Sequence, residues 1–359
     1  MRLPRNAQIW LPGYFRSLIR SAASRPPQRV WVTLADHYEP LCGDADDKTG
    51  AARVDAWLRE WPQIAERFHD SAARAPKYTF FYPQEEYRPR FLDGLASLTD
   101  RGIGDVEIHI HHDGEGEQDF VDRMSSFAET LIVRHGLLRK VDGRPSFGFI
   151  HGNWALDNSR PDGRWCGLNN ELDLLIKLGC YADFTEPSAP HGTQVHMVNS
   201  IYWAQDDPLR PKSHDFGIPL TIGSSRPANS LLMIPGPLAV RYGRGHGLRR
   251  FVPRLETGEV AGYDLPSAER VKLWLRIAPR IGDDVFIKLY THGCQERNYS
   301  RLLNGGLADL FRHLETETSR CGLELYYASA WEMSEAVQSA RLGLCPIDNL
   351  MPVGSGAKV

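Results

Sequence analysis

No run of about eighteen apolar residues occurs, so no membrane-spanning helix is expected. No CxxC pair occurs either. The six cysteines (Cys42, Cys166, Cys180, Cys294, Cys321 and Cys345) stand apart in the sequence. That spacing argues against a zinc finger or redox dithiol, and the low density argues against a disulfide framework. Mostly buried thiols in a reducing compartment are expected. Positive charge is not in excess: the formal net charge is −3, so nucleic acid is not an expected partner. The opening "MRLPRNAQIWLPGYFRSLIRSAASRPP" lacks a continuous apolar core and carries internal arginines, unlike a signal peptide. These absences give a cytoplasmic protein as the expectation. The chain has no internal repeat, and its oligomeric state is not legible.

What is present is a chain of 359 residues with 42% hydrophobic and 24% charged residues, enough for one large domain or two ordinary ones. Residues 1–28 form an amphipathic segment in which Ile9, Trp10, Leu11, Phe15, Leu18 and Ile19 mix with Arg16 and Arg20. The segment either packs on the domain or, through residues 9–20, touches the inner face of a membrane. After residue 28, strand and helix patterns alternate. "RVWVTLAD", "KYTFFYP", "DVEIHIH", "SFGFIHG" and "YADFT" read as strands. Between them Val54, Trp57, Leu58, Trp61 and Ile64, then Phe91, Leu92 and Leu95, then Phe120, Met124, Phe127 and Leu131 keep helical spacing. Residues 186–230 are rich in proline, glycine and serine and read as a long loop insertion. Order returns in "SLLMIPG", a helix near 267–278, "DVFIKLYTHG", a helix through Leu307–Leu314, and "LELYYAS"; residues 336–359 read as a tail. Strands separated by helices predict a mostly parallel sheet, and about seven such units predict a distorted (β/α) barrel over 29–335.

In such barrels the chemistry sits where the strands end. Here the strand ends are rich in ionisable groups. Asp36, His37 and Glu39 follow the first, and His109, His111, His112 and Asp113 close the third. His151, Asn153, Trp154 and Asp157 follow the fourth, Asp183 and Thr185 the fifth, and His292 the "VFIKLYTHG" strand. In an extended strand His109 and His111 project from one face. Two imidazoles there, with a carboxylate from a neighbouring strand, make a facial site with open positions for water and substrate. Zinc is the leading ion, with iron, cobalt, manganese and nickel also compatible. His112 is a second ligand in competition with His111, or a group behind the ligands.

The order of these segments resembles the polysaccharide deacetylase superfamily of carbohydrate esterases. "TLAD" (33–36) stands where the family has TFDD, "YTFFYP" follows, "DVEIHIHHDG" carries the histidines, "FGFIHGNWALDN" fills the groove motif, and "IKLYTHG" supplies the last histidine. The resemblance implies a distorted (β/α) barrel, a divalent metal and hydrolysis of N-acetyl groups on sugars. It implies Asp36, His109 and His111 or His112 as metal ligands and His292 as general acid. Ala35 stands at the family's catalytic base, leaving His37 or Glu39 for that role. His151, Asn153, Trp154, Asp157, Asp183 and Trp203 are the expected substrate-binding residues, with Trp165 and Tyr202 as further stacking faces. The expected partner is a carbohydrate, in polysaccharide or glycan-precursor metabolism. Three other readings stand beside this one: a metal-dependent amidase or esterase acting on a non-sugar substrate; a catalytically altered carbohydrate-binding or assembly protein of an exopolysaccharide pathway; and a glycoside hydrolase using Asp36 and Glu39.

Overall fold

The computed structural model describes residues 3–23, 25–242 and 252–347. The chain opens with α1 (Ala7–Ala23), β1 (Arg29–His37), α2 (Asp47–Ala65), β2 (Tyr78–Pro83), α3 (Pro89–Asp100), β3 (Gly104–Ile110) and α4 (Glu117–Val133). Then come β4 (Arg139–Val141), β5 (Arg144–His151), α5 (Glu171–Leu178), β6 (Cys180–Asp183), β7 (Tyr202–Gln205), β8 (Ile218–Pro219) and β9 (Ser230–Met233). The remainder is β10 (Ala239–Tyr242), β11 (Pro253–Glu256), α6 (Ala268–Ile277), β12 (Arg280–Ile281), β13 (Asp284–Thr291), the single turn α7 (Tyr299–Arg301), α8 (Leu307–Arg320), β14 (Glu324–Tyr327) and α9 (Ala330–Arg341).

The helices start and stop where local chemistry dictates. Asp46 caps α2 through its side chain, which accepts from the Thr49 N–H at 2.8 Å. Pro89 opens α3, where its missing N–H costs nothing. Gly179 ends α5 in the left-handed region, with φ of 99°. Ser329 and Glu332 form a capping box at the start of α9.

The fold is mixed α/β, built on a sheet in which β13, β1, β2, β3, β5, β6 and β9 lie side by side and parallel. β14 pairs with the first half of β1, below the point where β2 joins it. β7 and β8 add an antiparallel margin beyond β9. The sheet curls: Gly236, just after β9, comes so near the Lys288 carbonyl of β13 that a Cβ on it would lie 2.7 Å from that oxygen. Among the described residues no ladder joins β9 to β13, so the parallel run is not shown to close into a complete barrel.

Strand alternation divides the core in two. Val30, Val32, Leu34 and Tyr38 of β1 and the turn after it, with Tyr78, Phe80 and Tyr82 of β2, pack outward on the helices, where Trp57, Trp61 and Phe311 lie. Trp31 and Ala35 of β1, Phe81 of β2, Ile150 of β5, Leu232 of β9 and Phe286 of β13 face inward. α9 packs on this inner face through Met333, Ala336, Val337 and Ala340, so ordered core continues past residue 335, where the tail was expected to begin. The sequence shows why, since these four positions keep helical spacing. The "MPVGSGAKV" end of the expected tail lies outside the described residues.

The expected insertion at 186–230 carries β7 and β8; residues 186–201 are largely buried without regular structure, and 206–229 are mostly at the surface. At the N-terminus, α1 buries Trp10 and Tyr14 with Val198, Leu238, Ala239 and Ile277, while Phe15 and Ile19 stay exposed. No described helix is long and apolar enough to cross a membrane.

Candidate active site

The inward positions of β1 and β3 carry polar side chains at the ends of the strands. Ala35 and His37 share the inner face, so Asp36 between them faces the helices. His109 and His111 share a face because same-side positions recur at every second residue of an extended strand. A cavity of about 580 Å³ opens above them, lined by His37, Glu39, His111, Asn153, Trp154, His191, Glu259, Tyr290, His292 and Arg297 among others.

At its floor, two imidazoles converge on one carboxylate oxygen. His109 Nε2 lies 3.4 Å and His111 Nε2 3.3 Å from Glu39 Oε1. The far nitrogen of each ring is held by an acceptor: His109 Nδ1 lies 2.8 Å from the Ile150 carbonyl, and His111 Nδ1 contacts the Glu85 carboxylate. A carbonyl can only accept, so His109 carries its proton on Nδ1. Its Nε2 lone pair in the neutral ring therefore faces a carboxylate oxygen. Two acceptors facing each other call for a proton or a cation between them. Burial alone would raise the Glu39 carboxyl, but the two imidazoles outweigh it and hold the group well below the ordinary range. Burial would lower the His111 pKa, yet Glu39 and Glu85 push it up to about 10. Histidines whose Nδ1–H is fixed by a carbonyl or carboxylate while Nε2 points inward are arranged as metal ligands are. Glu39, His109 and His111 can hold a divalent ion, their donor atoms lying within 4.8 Å of one another.

Two more imidazoles stand beside this set. The rings of His37 and His292 stack with centroids 4.6 Å apart, and His37 lies 5.1 Å from His109, edge to face. Desolvation lowers the pKa of both, reinforced at His37 by His292 and His109. His37 Nε2 and His292 Nδ1 are buried without a hydrogen-bond partner, and so is the indole Nε1 of Trp154. Trp154 stacks on His191 at 5.4 Å near the rim. Gly152 approaches the His111 ring so closely that a Cβ there would lie 2.3 Å from Cδ2, so glycine is the residue this packing accepts.

The structure moves several expected residues elsewhere. Asp36 is not beside the histidines. Its Oδ1 accepts from the Gly293 N–H at 2.6 Å and its Oδ2 from the Tyr78 hydroxyl at 2.9 Å, on the helix side of β1. It holds the turn that carries His292, and Glu39 rather than Asp36 lies beside the histidines. His112 turns to the opposite side from His111, because the two are consecutive, and meets His151 and Glu171. His151 is buried in that group rather than in the cavity. Asp157 is buried and accepts from the Ser213 N–H at 2.6 Å. Asp183 is buried within the sheet, where the Thr185 hydroxyl donates to it at 2.7 Å. Trp203 and Tyr202 are core residues on opposite faces of β7. Trp165 lies off the cavity with the Arg160 guanidinium 4.0 Å above its ring. Asn153, Trp154, His37 and His292 do line the cavity.

Sequence reasoning passed over Glu85, His191, Glu259 and Tyr290. The strand-end rule would have found Glu85, two residues past the end of β2. Glu259 and His191 arrive on irregular segments that carry no periodic signal.

No protein-family model and no curated protein matches the chain. Among solved structures, the 4-alpha-glucanotransferase from Thermococcus litoralis is similar at 13% identity and a TM-score of 0.41, covering 86% of this chain and 43% of that one. The chain thus spans less than half of that enzyme's length, and a likeness of this degree carries no argument about function.

Proposed function

We propose that the chain is a metal-dependent hydrolase, and that the bond it cleaves is the amide of an N-acetylated sugar. The observation that carries the first part is the convergence of His109 and His111 Nε2 on Glu39 Oε1, with each Nδ1 held from behind. The second part rests on the resemblance of the strand-end motifs to carbohydrate deacetylases, and on a polar cavity of about 580 Å³ with an indole at its wall. A divalent ion, when bound, supplies Lewis acidity and lowers the pKa of water towards neutrality. Glu39, His109 and His111 would hold it.

The remaining roles fall to groups of this chain. His37, kept neutral by burial, has a free Nε2 and takes the proton of the attacking water. Burial favours neutral His292 as well, so the proton that His37 takes from the water is passed on within the stacked His37–His292 pair, and His292 delivers it to the leaving amine as the C–N bond breaks, with no proton gained or lost. Trp154 offers a flat apolar face and a free N–H to a sugar ring. Asp36 acts behind His292 by fixing the Gly293 turn. The expected peripheral membrane contact through residues 9–20 remains part of this proposal, now narrowed to the exposed Phe15 and Ile19.

The test combines metal analysis with acetate release from a panel of N-acetylated sugars set against simple aryl esters. We expect bound divalent metal, its loss in His109→Ala, and acetate release from the sugars. His37→Ala should keep its metal while kcat falls by about 10²–10⁴-fold. Hydrolysis confined to aryl esters would sink the sugar assignment. Protein that holds no metal, with activity indifferent to His109→Ala, would sink the enzyme reading.

A further inference from the structure

On the other side of the same strand ends lies a second cluster, which the proposed reaction does not use. His112 follows β3, His151 ends β5, Cys166 lies in the loop after it, and Glu171 is the first residue of α5. All four side chains are buried, at most 5% exposed. One donor atom from each lies within 4.8 Å of the others.

With both imidazoles neutral, the protons of this cluster do not pair without a cation. His151 Nδ1 lies 2.6 Å from the Gly152 carbonyl, which can only accept, so the neutral ring presents its Nε2 lone pair inward. That lone pair faces His112 Nε2 at 2.9 Å and Glu171 Oε1 at 3.4 Å. His112 Nε2 also lies 3.1 Å from Glu171 Oε1. If the neutral His112 carries its proton on Nε2, its Nδ1 is a bare acceptor, buried and without a partner. If the proton sits on Nδ1, three acceptors face one another in the core. Either neutral state leaves a buried acceptor uncompensated, whereas positive charge on Nε2, from a proton or a metal ion, leaves an Nδ1–H turned toward Glu115 Oε1 at 4.0 Å.

The cysteine gives an independent sign. Its sulfur receives two backbone N–H groups, Asn158 at 3.2 Å and Leu168 at 3.4 Å. The sulfur also lies 3.3 Å from Glu171 Oε2, and burial and that carboxylate push the free thiol's pKa up; the two amides favour the anion in part, and a bound cation would complete the change to a ligating thiolate. The other carboxylate oxygen, Glu171 Oε2, accepts from the Asp157 N–H at 2.6 Å, which fixes the side chain's orientation.

We infer that His112, His151, Cys166 and Glu171 form a closed site for a structural divalent ion of the zinc class, distinct from the cavity centre. Two imidazoles, a thiolate and a carboxylate are four donors of the kind that bind zinc tetrahedrally, and a fully buried set leaves no position for substrate. Two negative ligands and a divalent cation sum to zero, which suits a buried site. With Nε2 on the metal, His112 carries its proton on Nδ1, facing Glu115 Oε1 at 4.0 Å. The site would bind the loop after β5, which bears Asn153 and Trp154, to the end of β3. His111 and His112 are neighbours, so one peptide links the two centres.

The inference does not depend on the hydrolase proposal, and one experiment separates them. The purified protein, its Cys166→Ser variant and its His109→Ala variant are analysed for zinc, then reloaded with Co²⁺ and read by absorption. Of the two clusters, only the buried one contains sulfur. We expect the Co²⁺-loaded wild type to show a sulfur-to-cobalt charge-transfer band in the near ultraviolet. His109→Ala should keep that band. Cys166→Ser should lose it together with one equivalent of metal. A Co²⁺-loaded wild type without the band, or a folded Cys166→Ser variant with undiminished metal, would overturn the inference. The wild-type spectrum decides the question even if Cys166→Ser does not fold. A single equivalent lost in Cys166→Ser but not in His109→Ala would leave this site standing and remove the cavity centre.

Discussion

Glu39 and Asp36 lie three residues apart and face opposite sides of the sheet, which separates two assignments of the carboxylate ligand. Glu39→Gln should lower metal content sharply, because it weakens the one anionic donor between His109 and His111. Asp36→Asn should keep the metal. Its oxygens serve Gly293 and Tyr78, and any lost activity would come through a displaced His292. Metal content of the two variants, measured side by side, checks this; the opposite pattern would restore Asp36 as ligand. Glu85 offers a graded test. It orients His111 from behind, so Glu85→Gln should weaken metal binding by about 10–100-fold with the fold intact. Competition against a chromophoric chelator measures that loss, and unchanged affinity would show that His111 is not a ligand.

At the scale of elements, the strand period explains most of what can be read along the chain. The hydrophobic runs of β1, β2, β3, β5 and β13 marked those strands, and their order predicted a parallel sheet. The same period places Asp36 on the helix side once Ala35 and His37 are known to face inward. Which face is inward is decided by the neighbouring strands, so the parity had no anchor in the sequence. α9 shows the reverse case. Met333, Ala336, Val337 and Ala340 have a legible helical spacing, yet they follow a short strand near the C-terminus, and three of the four fall in the expected tail from 336. Val337 is fully buried, and ending the chain after Glu335 removes it together with Ala336 and Ala340. That truncation should cost at least about 2 kcal/mol, from the lost burial of the valine side chain alone. Urea unfolding of the shortened chain checks it; an unchanged midpoint would mean that the end of α9 contributes little to the inner core.

For the whole molecule, metal sites that exist only in the folded chain couple binding to stability. Removing the ions with a chelator should lower the melting temperature, and adding zinc back should restore it. At free metal about a thousandfold above Kd, the stabilisation is about 4 kcal/mol per site. The His109→Ala and Cys166→Ser variants should each lose part of this dependence, measured by thermal melts with and without metal. Melting curves that ignore the chelator would contradict both sites together.

The sequence by itself determined the alternation of strands and helices, the gathering of ionisable groups at strand ends, and the shared face of His109 and His111. All of these are local, since periodicity and turn chemistry act over a few residues. The tertiary structure decided the partners. Glu39 replaces Asp36 beside the histidines, His112 leaves His111 for His151, and Cys166 and Glu171 arrive from a loop and a helix start more than fifty residues further on. Ligand sets depend on which ends of separate segments meet, and that follows from sheet order and curl. In this chain those long-range contacts divide three histidines within four positions between two different side-chain clusters.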